Sequence, residues 1–165
     1  MSNTTVLNLT VREALALHNV LPALNGYIES TTVKTTTVED PKTGQKTTTS
    51  ETAQAKPVPY KFGVDGKGGG VVRYTIGELI DAFGREEKAF KKAQDSLILQ
   101  LSEGIGTIDD KNTALMGQFN AEIQKLLDHE IEVKVSKIKL DDLNLDNNPD
   151  LSPSVLGALM PLIAK

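Results

Sequence analysis

Between Thr75 and Ser102 the apolar residues recur at alternating steps of four and three: Ile76, Ile80, Phe83, Phe90, Leu97 and Leu101, with Glu87 and Gln94 at the two interrupted positions. Such a row lies on one face of a helix and makes a heptad-like seam. Thr75-Ile-Gly-Glu78 reads as a capping box opening this helix, and Gly104 sits where a helix-ending glycine belongs. About 27 residues of helix span about 40 Å at 1.5 Å per residue. A second amphipathic stretch from about Asp110 to His129 carries Leu115, Met116, Phe119, Ile123, Leu126 and Leu127 on one face. The short link between the two predicts an antiparallel pair of long helices. Glu87 is the one charge on the seam, and a charge there commonly fixes register or oligomeric state. The seam residues Ile80, Phe83, Glu87, Phe90 and Leu97 are therefore the expected site of homo-oligomerisation.

The remaining segments complete an α+β fold that is mainly α. Thr10-Val-Arg-Glu13 is a further capping box, starting a helix with Leu17, Val20, Leu21, Leu24 and Ile28 in phase. Pro22 removes one internal hydrogen bond and predicts an early break before Gly26. Lys56 to Phe62 and Val71 to Tyr74 read as short strands around a glycine-rich turn. Ile131, Val133 and Val135 alternate with charges, giving a strand that bulges near Ser136 before Ile138 and Leu140. Ser152-Pro153 fits the cap and first position of a last short helix, Val155 to Ile163, interrupted by Pro161. A small sheet near Val6, Tyr60, Val72 and Val133 follows from these assignments.

The run Ser30 to Thr52 is unlike the rest. Two extended arms, Ile28 to Glu39 and Gln45 to Thr52, flank Asp40-Pro41-Lys42-Thr43-Gly44, which has turn chemistry. Thr32, Lys34, Thr36 and Val38 alternate with Thr31, Val33, Thr35 and Thr37, so neither face is apolar enough to sit on a core. The expectation is a projecting threonine-rich β-hairpin over 28–55, within a single domain of residues 1–165. A two-stranded ribbon is marginal alone and calls for a partner. The competing reading is a disordered polar loop, because such a segment buries little apolar area against its ordering entropy.

Composition narrows the chemistry. With 39% hydrophobic but 4% aromatic residues and no Trp, the core is aliphatic and stacking platforms are few. The absence of Cys excludes disulfides, thiolate metal sites and a cysteine nucleophile. No stretch has the 18 or more apolar residues of a membrane span, so no membrane partner is expected. Residues 1–102 hold 12 Lys/Arg against 11 Asp/Glu, and 103–165 hold 6 against 11, so neither half is a nucleic-acid face.

Two segments imitate ligand sites. GVDGKGGG offers glycines and Lys67 to an anion, but no Ser or Thr follows Lys67 and the expected helix starts later, so it is not a P-loop. Pairing of the flanking strands would gather Tyr60, Lys61, Lys67, Arg73 and Tyr74 into a cluster suited to a small anionic ligand, phosphorylated or nucleotide-like. Asp142, Asn144, Asp146 and Asn148 alternate like a calcium loop but lack its glycine and its final glutamate, so inward Leu143 and Leu145 with solvated polar neighbours explain them. His18 and His129 have no ligand spacing, and no metal, cofactor or catalytic set is assembled. The expected function is binding and not catalysis.

The segments VREALALHNVLPALNGY, VPYKFG, FNAEIQKLLDHEIEV and IKLDDLNLDNNPDLSPSVLGALMPLI resemble a loosely defined class of short tailed-bacteriophage proteins. The threonine-rich run is then an insertion between LNGY and VPYKF, and the resemblance brings no activity with it. It implies a protein in the host cytoplasm where it is made, with the virion as the other location. Its partners are then further copies and phage structural proteins. The alternative is a phage-encoded sponge that holds a cyclic-nucleotide-like signal molecule and so counters host defence.

Overall fold

The computed structural model describes residues 4–28, 33–39, 46–52, 57–63 and 67–164. In chain order it gives β1 (Thr4–Thr10), α1 (Val11–Val20), β2 (Tyr27–Ile28), β3 (Val33–Glu39), β4 (Lys46–Thr52), β5 (Pro57–Val58), α2 (Gly69–Leu101), α3 (Thr113–Leu127), β6 (Glu130–Ser136), β7 (Ile138–Lys139), α4 (Pro153–Leu159) and β8 (Ile163–Ala164). The fold is α+β and mainly helical. The chain divides into two compact units, one of residues 1–24 and 61–165, the other of residues 25–60.

In the larger unit, β1 and β6 pair antiparallel, with Leu7 opposite Val133 and Leu9 opposite Ile131. Side chains alternate across a strand. One face therefore carries Val133 and Val135 into the core, while Val6 and Lys134 stay exposed on the other. The capping box at α1 is formed: the Thr10 hydroxyl accepts from the Glu13 amide at 3.2 Å, and the Glu13 carboxylate accepts from the Thr10 amide at 2.8 Å. The Thr10 amide, followed by its hydroxyl, holds the Glu13 carboxyl below the ordinary range. After Val20 the chain tightens into a 3₁₀ turn, Leu21–Asn25, across Pro22. At three residues per turn this keeps Leu21 and Leu24 in line with Leu17, and all three are buried.

Helix α2 begins earlier than the capping box at Thr75 implies. Val71 to Tyr74 are helical, so the expected second strand is absent and Val72 is a buried helix residue. Tyr60 likewise lies outside any strand, which leaves Val6 and Val133 as the members of the expected sheet that pair in β1 and β6. The glycines of this segment explain the difference. A Cβ at residue 69 would meet the Phe62 carbonyl oxygen at 2.6 Å, and one at Gly63 would overlap the Lys67 carbonyl oxygen. These glycines let two backbone segments touch where α2 starts. At its other end α2 closes with a Schellman pattern: Gly104 N donates to Leu99 O at 2.8 Å and Glu103 N to Gln100 O at 3.4 Å. Glu103, at φ 51°, takes the left-handed position expected of Gly104.

Helix α3 starts at the Asn112 cap and not at Asp110. Lys137 separates β6 from β7, in place of the bulge expected near Ser136. β7 pairs in parallel with β8, bringing buried Ile138 and Ile163 together. Ser152 caps α4 with Pro153 in its first turn, and a 3₁₀ turn, Met160–Leu162, follows across Pro161.

In the smaller unit, β2 pairs with β5, and the Tyr27 and Tyr60 rings lie 5.4 Å apart. β3 and β4 pair antiparallel with Thr37 opposite Thr48, and both threonines are exposed. The expected turn at Asp40–Gly44 lies outside the described residues, as do Ser30, Thr31 and Thr32.

The core centres on Phe83 of α2, fully buried beside Leu79 and Ile76 of the same helix. Phe83→Ala leaves a cavity there and is expected to cost about 3–5 kcal/mol of unfolding free energy in urea titration. A loss below about 1 kcal/mol would show that the core is centred elsewhere.

Candidate functional site

The seam of α2 changes character at Glu87. Ile76 and Phe83 are buried, and Ile80 is half-buried. From Gly84 to Leu101 no side chain is buried, although Phe90, Leu97 and Leu101 continue the apolar row and every one of these residues is described. Helix α3 is the same throughout: Leu115, Met116, Phe119, Ile123, Leu126 and Leu127 are all half-buried and none is buried. Two amphipathic helices therefore touch without completing a core between them.

Both ends of this arm are fixed. At the root, Arg12 of α1 reaches Gln124 at 2.8 Å and Asp128 at 3.0 Å, and Val11 N donates to His129 O at 2.9 Å. Glu87 sits between α1 and its own helix, 3.2 Å from His18 Nε2 and 2.8 Å from Lys91 Nζ. The seam charge is thus engaged within the chain by His18. At the tip, buried Ser102 accepts from Gly106 N at 2.9 Å, and Asp109 Oδ1 accepts from Lys111 N at 2.9 Å. This hydrogen-bonded loop leaves Ile105 80% and nearby Leu99 50% exposed. A hollow of about 480 Å³ there is lined by Leu101, Ile105, Ile108, Asn112 and Leu115.

The five residues expected to hold an anion are differently disposed. Tyr60 is buried, with its ring against Tyr27. Lys61 is fixed by its main chain: Asn148 Oδ1 accepts from Lys61 N at 2.8 Å and Asn148 Nδ2 donates to Lys61 O at 3.0 Å. Lys67 is exposed just before α2, with residues 64–66 of the glycine-rich turn outside the described set. Arg73 lies over the Phe62 ring at 5.4 Å. The Tyr74 phenol donates to the Glu78 carboxylate, which holds its pKa above the ordinary value. The strand pairing on which convergence of these residues depends does not form, because Arg73 and Tyr74 belong to α2. A larger groove of about 890 Å³ runs beside Tyr74, lined by Glu78, Asp81, Arg85, Lys88 and Lys134. Its carboxylates and cations are mixed, so it presents no single-sign field to a charged ligand.

Asn148 is not the solvated residue that its spacing suggests. It is 4% exposed, and its Nδ2 also donates to Leu143 O at 2.8 Å. The calcium-like spacing is thereby a structural tie between the Asp142–Asn148 loop and the segment leading into α2. Among the described residues no group of three or more His, Asp or Glu stands together as a metal site, and no helix is long and apolar enough to cross a membrane.

Neither protein-family models, curated proteins nor solved structures give a match to this chain.

The Glu87 contact has a signature in pH. Lys91 is the main cause that holds the Glu87 carboxyl below its ordinary 4.5, with burial opposing and His18 adding a smaller pull. Because folding lowers this pKa, the unfolded chain takes up the proton first as pH falls. The contribution is complete above about pH 4.5 and is lost below it. Glu87→Gln is expected to lower Tm at pH 6, by an amount that shrinks as pH falls below 4.5 through the folded-state pKa. A loss that stays the same as pH falls would show that the ion pairs contribute nothing.

Proposed function

We propose that this is a non-enzymatic assembly protein that self-associates through the second half of α2 together with α3. The observation that carries the reading is the apolar row from Phe90 to Leu101 and along α3, in which no side chain is buried. In this reading α2 and α3 run antiparallel. The hollow shared by Leu101 and Leu115 at one end, and the Arg12 link to Asp128 at the other, support that course. The threonine-rich pair β3–β4 is the element that engages neighbouring molecules by strand addition. The bacteriophage setting rests on the resemblance of the flanking segments.

Magnitudes favour a joint that is specific but easily broken. Covering one half-exposed apolar side chain contributes about 1 kcal/mol, against association costs of about 4–15 kcal/mol. Loss of one or two such side chains is then enough to dissociate the assembly. Sedimentation equilibrium at about 100 μM is expected to give a mass well above the 17.8 kDa chain. Leu97→Lys with Phe119→Lys returns it to the chain mass with helical circular dichroism retained. Replacing residues 31–52 by a short Gly-Ser turn is expected to leave Tm nearly unchanged while weakening association in light scattering. A wild-type chain that stays monomeric contradicts the proposed joint, and a large fall in Tm on deletion contradicts the role given to β3–β4.

A further inference from the structure

The two strands of the threonine-rich pair carry one pattern twice. Lys34-Thr-Thr-Thr-Val-Glu39 of β3 and Lys46-Thr-Thr-Thr-Ser-Glu51 of β4 both begin on lysine, run through three threonines and end on glutamate. Read backwards, the pattern answers its own charges. In the antiparallel register Lys34 stands opposite Glu51 and Glu39 opposite Lys46, with Thr36 opposite Thr49 and Thr37 opposite Thr48 between them. Among the described residues each strand pairs with the other alone, which leaves each with an outer edge. Lysines on an edge ordinarily keep other strands away. Here any strand of the same pattern, laid antiparallel, supplies a glutamate for each lysine, and every further copy of this chain holds two such strands.

Backbone geometry decides which edges can meet. An edge strand offers its outward amide and carbonyl at every second residue, and hydrogen-bonded positions oppose each other across an antiparallel ladder. Two copies of one strand therefore oppose each residue to one an even number of places from it. Lys34 and Glu39 are five places apart, as are Lys46 and Glu51, so β3 against β3 or β4 against β4 leaves no lysine opposite a glutamate. Parallel pairing in register sets lysine beside lysine. The edge of β3 against the edge of β4 is free of both restrictions, because residues opposed inside the hairpin turn their outward positions in phase.

We infer that a second copy of this chain adds its β4 to the outer edge of β3, antiparallel and in the register used inside the hairpin. Lys34 of one copy then stands opposite Glu51 of the next, and Glu39 opposite Lys46. The inference rests on the strand addition proposed above and names its partner and register. The junction is heterologous: each copy uses β3 toward one neighbour and β4 toward the other, so hairpins join head to tail and form no two-fold pair by themselves. Opposed charges and threonine pairs are each modest, so they select partner and register more than they add affinity.

A charge exchange tests this on the full chain. The quadruple variant Lys34→Glu, Glu39→Lys, Lys46→Glu, Glu51→Lys keeps every opposed pair within its own hairpin and between copies of itself, but sets like against like at each junction with wild type. Chains labelled at the amino terminus with donor or acceptor report association by energy transfer at low salt. Wild type with wild type and variant with variant are expected to share one midpoint, and wild type with variant to need about tenfold more protein. Salt narrows that difference. Circular dichroism monitors folding. If the quadruple variant does not fold, Lys34→Glu with Glu51→Lys replaces it, with one like pair per junction and a shift of about threefold expected. Mixed association at the wild-type midpoint, or a folded variant that no longer associates with itself, overturns the β3-to-β4 register. If the chain with residues 31–52 replaced by the Gly-Ser turn also keeps the wild-type midpoint, strand addition itself fails. If that chain is weakened while variant and wild type mix freely, strand addition stands and this register is wrong. Wild type without transfer at any concentration overturns both.

Discussion

The structure turns on where burial stops along a single helix. Up to Phe83, the side chains of α2 that face inward are covered by α1 and β6, and Phe83 is fully enclosed. One turn later Glu87 closes the interface with α1 through His18, and the same apolar row then continues with no core around it. In this helix of 33 residues the apolar row runs on past the elements that enclose its first half. Helix α3 covers part of that face without burying any residue of its own. The seam is thus divided into a half enclosed within the chain and a half whose apolar row is left half-buried, and the proposed joint rests on that division.

This division accounts for the part played by weak polar contacts. Arg12 with Asp128 and Gln124 is exposed and contributes less than about 1 kcal/mol, yet it pins the end of α3 to the start of α1. At the far end Ser102 and the Schellman hydrogen bonds fix the loop from which Ile105 projects. Holding both ends in place lowers the entropy to be lost when the apolar row is covered.

The long helix is legible in the sequence because its apolar steps of four and three leave no strand reading. Its start is not. Val71-Val72-Arg73-Tyr74 is β-branched and aromatic and reads as a strand, whereas the glycines before it allow the Phe62 backbone to approach Gly69 so closely that the helix begins there without a side-chain cap. Tertiary contact overrides local propensity. The capping boxes show the same contrast: Thr10-x-x-Glu13 stands at a helix start, while Thr75-x-x-Glu78 carries the same pattern inside a helix. Periodicity names every seam residue, but it is blind to where the neighbouring elements end, so it does not divide Phe83 from Phe90. Asn148 escapes notice because a buried asparagine carries no periodic signal, and only its partners at Lys61 and Leu143 reveal it.

The central claim is that the second half of α2 is an interface and not a surface. The chain contains no cysteine, so a single introduced cysteine carries one spin label per copy. Pulsed electron resonance on a label at Gln94, midway along the exposed half of α2, compared with one at Glu103 at its tip, measures the distance between copies directly. The account predicts a dipolar signal between copies from both labels, because the apolar row to which residue 94 belongs is covered by another copy. The absence of any dipolar signal between copies would contradict it.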